Sequence, residues 1–166
     1  MTTNCPKRIP RWTRPFIAIM MVACSWYGMM GVHEAGHAVA AMATGGGVKH
    51  IHLPLVGFSR TDFYSNPHPL IVAWAGPVLG CAAGLVLWGL ARLACRGIEP
   101  GLRFFAGFCL IANGAYLGVG WIDRIGDAGD LMRHGGQVWQ LIAFGLLTVP
   151  TGLYLWHGLR PGWFRK

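Results

Sequence analysis

The segment from Phe16 to about Thr44 is apolar for long enough to cross a bilayer, yet it holds His33, Glu34 and His37 within five residues. That combination restricts the fold more than any other part of the chain. About 20 apolar residues in a helix cross ~30 Å of hydrocarbon, where every backbone polar group has to be satisfied inside the segment. Ionisable side chains there are costly and turn toward a protein interior or a water-filled cavity. The segment therefore predicts a membrane helix that buries one polar turn against other helices.

Three further apolar runs follow, at about Pro69 to Cys95, Leu102 to Trp121 and Gln137 to His157. With 54% apolar residues, 12% charged residues and 25 glycines in 166, the composition lies outside that of an ordinary soluble domain. The expected fold class is an all-α polytopic membrane protein with about four transmembrane helices. Gly45-Gly46-Gly47 ends the first. Near-alternation of Lys49, Ile51, Leu53 and Leu55 with His50, His52 and Pro54 then predicts a short β-strand or hairpin over about 48–58, with Pro54 at an edge. Gly76, Gly80 and Gly84 in the second span, and Gly114 and Gly118 in the third, are small-residue faces that let helices approach closely. Pro77 predicts a kink. Residues 1–15 and 159–166 read as basic tails around a single transmembrane domain at 16–158, and 123–130 reads as a polar loop.

The net charge of +8 is assigned to loops facing anionic lipid, since no basic face is interleaved with exposed aromatics as nucleic-acid binding requires. Lys7, Arg8, Arg11, Arg14, Arg160, Arg165 and Lys166, with Arg92, Arg96 and Arg103, put both termini in the cytoplasm by the positive-inside count. Five cysteines form no Cys-x-x-Cys pair, so a disulfide framework is not expected. The apolar pattern runs on past Cys24, which favours an uncut anchor over a cleaved leader.

His33 and His37 are one helical turn apart, so both can grip one metal ion. Glu34, rotated about 100° from His33, can then reach a water on that ion. This is the H-E-x-x-H pattern of zinc hydrolases. The opposing reading has both histidines satisfied by interhelical hydrogen bonds. His33 lies ~25 Å along the helix from Phe16, near the far leaflet. A catalytic zinc takes three protein ligands and leaves a position open. With alternating spans, the ends of the first and third face the same side, where Asp123, Asp127 and Asp130 emerge. His50, His52, His68, His134 and His157 read as solvated or interfacial.

Together, the first-span motif, Gly76-Pro77 in the second span and Asn113 with downstream aspartates in the third resemble the site-2 protease family of intramembrane zinc metalloproteases, across roughly residues 16–135. The strand at 48–58 is similar to that family's membrane-associated β-segment. The resemblance implies one zinc per chain held by His33, His37 and an aspartate, with Glu34 as general base. Matching the family's Asp-Gly-x-x-Leu to Asp127-Ala128-Gly129-Asp130-Leu131 selects Asp127, with Asp130 as the alternative. The chain departs from the family pattern at Gly80, where asparagine is common, and at Gly114, where proline is usual.

The expected activity is hydrolysis of peptide bonds in or near transmembrane segments of membrane proteins, with Asn113 at the oxyanion or the unwound substrate. The rival functions are a catalytically inactive, protease-like membrane binding protein and a metal transporter. Few polar groups besides Thr148, Thr151 and Tyr154 line the other spans, which disfavours transport. Expected partners are a transmembrane protein substrate and the bilayer of a bacterial-type cell membrane, with a regulatory membrane protein or a second copy of the chain also considered.

Overall fold

Each apolar run forms one long helix in the computed structural model, which describes residues 12–157 with Pro10 and Leu159. Most of the basic tails, including Lys7, Arg8, Arg11, Arg160, Arg165 and Lys166, lies outside the described residues. The elements in order are α1 (Thr13–Ala43), β1 (Gly47–His52), β2 (Arg60–Ser65), α2 (Pro69–Ala94), α3 (Glu99–Gly120), α4 (Gly126–Arg133) and α5 (Val138–His157). Helices α1, α2, α3 and α5 are each long and apolar enough to cross a membrane. Phe16, Ile19 and Val22 of α1 and Leu146, Leu147 and Leu153 of α5 are exposed, as lipid-facing positions should be.

Helix α1 begins at Thr13, inside the segment read as a tail. It ends where Gly45 takes a left-handed φ of 81° and the Gly46 amide donates back to the Ala41 carbonyl at 2.7 Å. The following segment is a two-stranded antiparallel hairpin, with Pro54 in the connection between the strands. Its register pairs Val48 with Phe63 but His50 with Asp62, so Lys49 is an extra residue in β1. This bulge breaks the simple alternation read from the sequence: Val48 and Ile51, three apart, share a face with Phe63 and Thr61. The connection folds back along α1, and the Tyr27 hydroxyl donates to the Leu55 carbonyl at 2.6 Å. Tyr27 is about 24 Å of helix before Ala43, so the apolar tip with Leu55, Val56 and Phe58 reaches deep along the span.

Helix α2 is the wedge of the bundle. Its glycines allow close approach on two sides: Gly76 faces His37 of α1, while Gly80 and Gly84 face Asn113 and Cys109 of α3. Helix α5 packs on α3 through Gly118 against Gly145 and Gly114 against Thr148. Residues 123–130 are not wholly loop. After a turn with positive φ at Arg124 and Gly126, the chain winds into α4. Ala128 and Leu131 of α4 are fully buried with Ala73, Leu117 and Leu141, a core drawn from four helices. The Asp- and Gly-rich composition hides this short helix, and docking of Ala128 and Leu131 fixes where Asp127 points.

Candidate metal centre

His33 and His37 emerge on the buried side of α1, 7% and 6% exposed, facing α2, α3 and α4. The Nδ1 of His37 lies 2.7 Å from the Val72 carbonyl oxygen, which can only accept, so Nδ1 carries the proton. Asn113 donates its Nδ2 to the Cys109 carbonyl at 2.9 Å, which turns its Oδ1 toward His33. That Oδ1 accepts from His33 Nδ1 at 2.7 Å. In its neutral form each imidazole therefore presents an Nε2 lone pair inward.

These two nitrogens are 3.1 Å apart. Asp127 completes the triangle, with Oδ2 2.9 Å from His33 Nε2 and Oδ1 3.2 Å from His37 Nε2. Three electron-rich atoms this close repel one another unless positive charge lies among them. Bonds of about 2.0–2.1 Å to a tetrahedral zinc separate its ligand atoms by roughly 3.3 Å, so the triangle fits such an ion. The outer imidazole nitrogens are held by an amide oxygen and a backbone carbonyl, the arrangement that orients metal-ligating histidines. Without an ion, a proton on an Nε2 takes the place of the metal: burial alone would raise the Asp127 carboxyl, but hydrogen bonds from protonated His33 and His37 and their charge outweigh it and hold the group at about 2. It is ionised at any physiological pH, as a carboxylate ligand must be.

Glu34 is 2% exposed and accepts a 2.6 Å hydrogen bond from the Thr61 hydroxyl of β2. His33, Glu34, His37 and Asp127 line one cavity of about 790 Å³. Trp26, Met29 and Met30 of α1, Phe58 and Phe63 of the hairpin and Ala112 of α3 supply much of its apolar wall. A mostly apolar chamber with a few convergent polar groups is the usual form of a binding site.

The other aspartates are placed differently. Asp130 reaches the cavity wall, but its carboxylate is 48% exposed and pairs with Arg133. Asp123 is exposed in the turn before α4. Among the remaining histidines, His52 pairs with Asp62 at 3.0 Å on the outer face of the hairpin, and His134 lines the cavity with its Nδ1 on the Asp130 carbonyl.

Several contributors escaped the sequence reading. The Val72 carbonyl leaves no sequence signal because it is backbone. Tyr116 accepts a hydrogen bond from the Asp127 amide at 3.1 Å and so steadies the start of α4. Gly76 serves as the seat of the His37 ring, a role that glycine spacing alone does not distinguish from plain helix packing. Thr61 could be found only by knowing which face of β2 turns inward.

Comparisons with curated proteins and with solved structures return no match. A family model described as Peptidase M50B-like matches residues 27–117, more than half of the chain and the part that holds the His33–His37 turn, the hairpin, α2 and most of α3. With four helices among the described residues able to cross a membrane, the chain is a multi-pass membrane protein, and it belongs to the Peptidase M50B-like family, of the site-2 protease type.

Proposed function

We propose that the chain is an intramembrane zinc metalloendopeptidase that cuts peptide bonds in or near transmembrane segments of membrane protein substrates. The observation that carries this reading is the convergence of three metal-donor atoms beside a buried glutamate in one chamber. His33, His37 and Asp127 would hold one zinc. Bound there, zinc supplies Lewis acidity toward a scissile carbonyl and lowers the pKa of a water toward neutrality.

The chain's own groups do the rest. Glu34, one residue from His33 and lining the same chamber, takes the proton of the attacking water and returns it to the leaving amine. Asn113 acts here by holding His33 in the tautomer that ligates. This reading is supported by its Oδ1, which is engaged by His33, while one Nδ2 hydrogen goes to Cys109; the second could still serve an oxyanion. The apolar walls limit the water that reaches the site, which strengthens its electrostatics. A helical substrate keeps its carbonyls hydrogen-bonded, so it has to be extended before cleavage. Among the described residues strands β1 and β2 pair only with each other, and a free strand edge can hold an extended segment by strand addition. By charge count both termini face the cytoplasm and the metal side faces out.

Glu34→Gln tests the assignment. The variant should keep its zinc and lose cleavage of a reconstituted single-span peptide by at least ~100-fold. Undiminished cleavage would remove Glu34 as the base, and a chain without zinc would remove the metal reading.

A further inference from the structure

The general base of a metallohydrolase usually sits on the same rigid helix as its metal ligands, which fixes its backbone but leaves its carboxylate free to rotate. Here the partner of Glu34 comes from elsewhere. Thr61 lies at the second position of β2, opposite Ile51. Its strand neighbours pair with each other toward solvent: Arg60, at the rim of the chamber, and Asp62 are within 3.4 Å, and Asp62 also meets His52. Thr61 and Phe63, with the opposite parity, both line the chamber.

The hydroxyl of Thr61 donates to Glu34 Oε2 at 2.6 Å, while Oε1 takes no hydrogen bond among the described residues. A buried carboxylate without a donor is costly, so this contact restrains the side chain strongly. The hairpin that carries Thr61 is itself tied down. The Tyr27 hydroxyl holds the Leu55 carbonyl at 2.6 Å, and the Phe58 ring stacks on Tyr116 with centroids 6.3 Å apart. The hydroxyl is thus presented from a segment docked at two further points.

We infer that Thr61 is a positioning residue for Glu34, holding one carboxylate oxygen so that the other is directed to the reacting water. The inference rests on the peptidase reading and adds a regulatory consequence to it. The base is set by the hairpin, so displacement of the hairpin by an incoming strand alters the geometry at Glu34 through one hydrogen bond.

The test uses the full chain in detergent micelles with a single-span peptide carrying a central Gly-Asn pair. Thr61→Val keeps the shape and removes the hydroxyl, and Thr61→Ser restores it. Misplacing a catalytic group by an ångström costs up to about 100-fold. Thr61→Val should therefore lower kcat by ~10–100-fold, with KM within about twofold and zinc content unchanged, and Thr61→Ser should recover to within about threefold of wild type. A merely structural role would not separate kcat from KM or be rescued by serine.

A melting cycle decides the contact independently of activity. Thr61→Val should lower Tm by several degrees in the Glu34 chain and by less than about 1 °C in a Glu34→Ala chain. Equal losses in both backgrounds, or a wild-type kcat in Thr61→Val, overturn the inference. If wild-type protein retains zinc yet leaves the peptide intact, the peptidase reading fails and takes the catalytic role of Thr61 with it. The melting cycle still reports whether the hydroxyl holds Glu34.

Discussion

Replacing Gly76 by alanine adds one carbon at the place where the His37 ring rests. A Cβ built there would lie 2.2 Å from His37 Nε2, 2.4 Å from Cε1 and 2.8 Å from Cδ2, against ordinary contact that begins at 3.4 Å. The ring must therefore move by about 1.2 Å, while a zinc–nitrogen bond tolerates about 0.2 Å. Neither route of relief preserves the site. Rotating the ring breaks the 2.7 Å hydrogen bond to the Val72 carbonyl, one turn earlier on the same helix. Withdrawing α1 pulls His33 and His37 away from Asp127 and opens the contact where Gly36 rides on the Ala75 backbone. Loss of outer contacts to a metal-bound histidine already costs 10–100-fold in affinity, and displacing the ligand itself costs more. Zinc affinity should fall by at least ~100-fold, about 2.8 kcal/mol. The assay is zinc titration against a chromophoric chelator, with metal per chain measured after gel filtration. Gly89→Ala is the control, because nothing lies within 4 Å of a Cβ there on the same helix. Zinc affinity in Gly76→Ala within about threefold of wild type would refute the reasoning, since the triangle would then tolerate a displaced His37.

Asp127→Asn should lose stoichiometric zinc while Asp130→Asn keeps it, because Asp130 is paired with Arg133 at the surface; the reverse result would reassign the third ligand. Ligating imidazoles must be neutral, so acidification releases zinc as they take protons. Asp127, already ionised above about pH 2, adds none, so the slope of log affinity against pH should approach about two protons per zinc and not three. In the metal-free chain the same depressed carboxyl stabilises the fold above its ordinary value of 3.8, and that contribution fades as pH falls toward 2; acid melting curves of wild type and Asp127→Asn should converge in that window. Gly107→Ala would place a Cβ 2.4 Å from the Trp156 indole, disturbing its stack on Phe104 and its 2.9 Å bond to the Phe104 carbonyl. It should lower Tm by several degrees without changing zinc content, and a loss of zinc there would show that α5 supports the metal site.

The four spans and the His33–Glu34–His37 turn were legible because both depend on short-range information. Span length follows from hydrocarbon thickness, and the spacing of four follows from the helical repeat. Of the hairpin only β1 was legible: the reading over about 48–58 took the connection at 53–59 for strand and did not reach β2 at Arg60–Ser65, and the Lys49 bulge exchanges faces without any cue in composition. Helix α4 was missed because Asp and Gly make a poor helical pattern. What winds it is the burial of Ala128 and Leu131 among residues of α2, α3 and α5, a tertiary effect that overrides local propensity. Among the aspartates the sequence could place a cluster on the right side of the membrane. Orientation within the cluster depends on Gly126 with its φ of 54°, pressed against Tyr116, which only the assembled structure supplies.

The separation of 94 residues between His33 and Asp127 bears on how the protein comes into being. A chain still emerging from the ribosome, with only α1 and the hairpin made, has His33 and His37 but not the Asp127 carboxylate from α4. The site becomes complete only once α2 and α3 are threaded and α4 docks into its core. Chains cut short before residue 127 thereby lack the third donor of the triangle, and the order of synthesis completes the site only when the helical bundle around it is nearly finished.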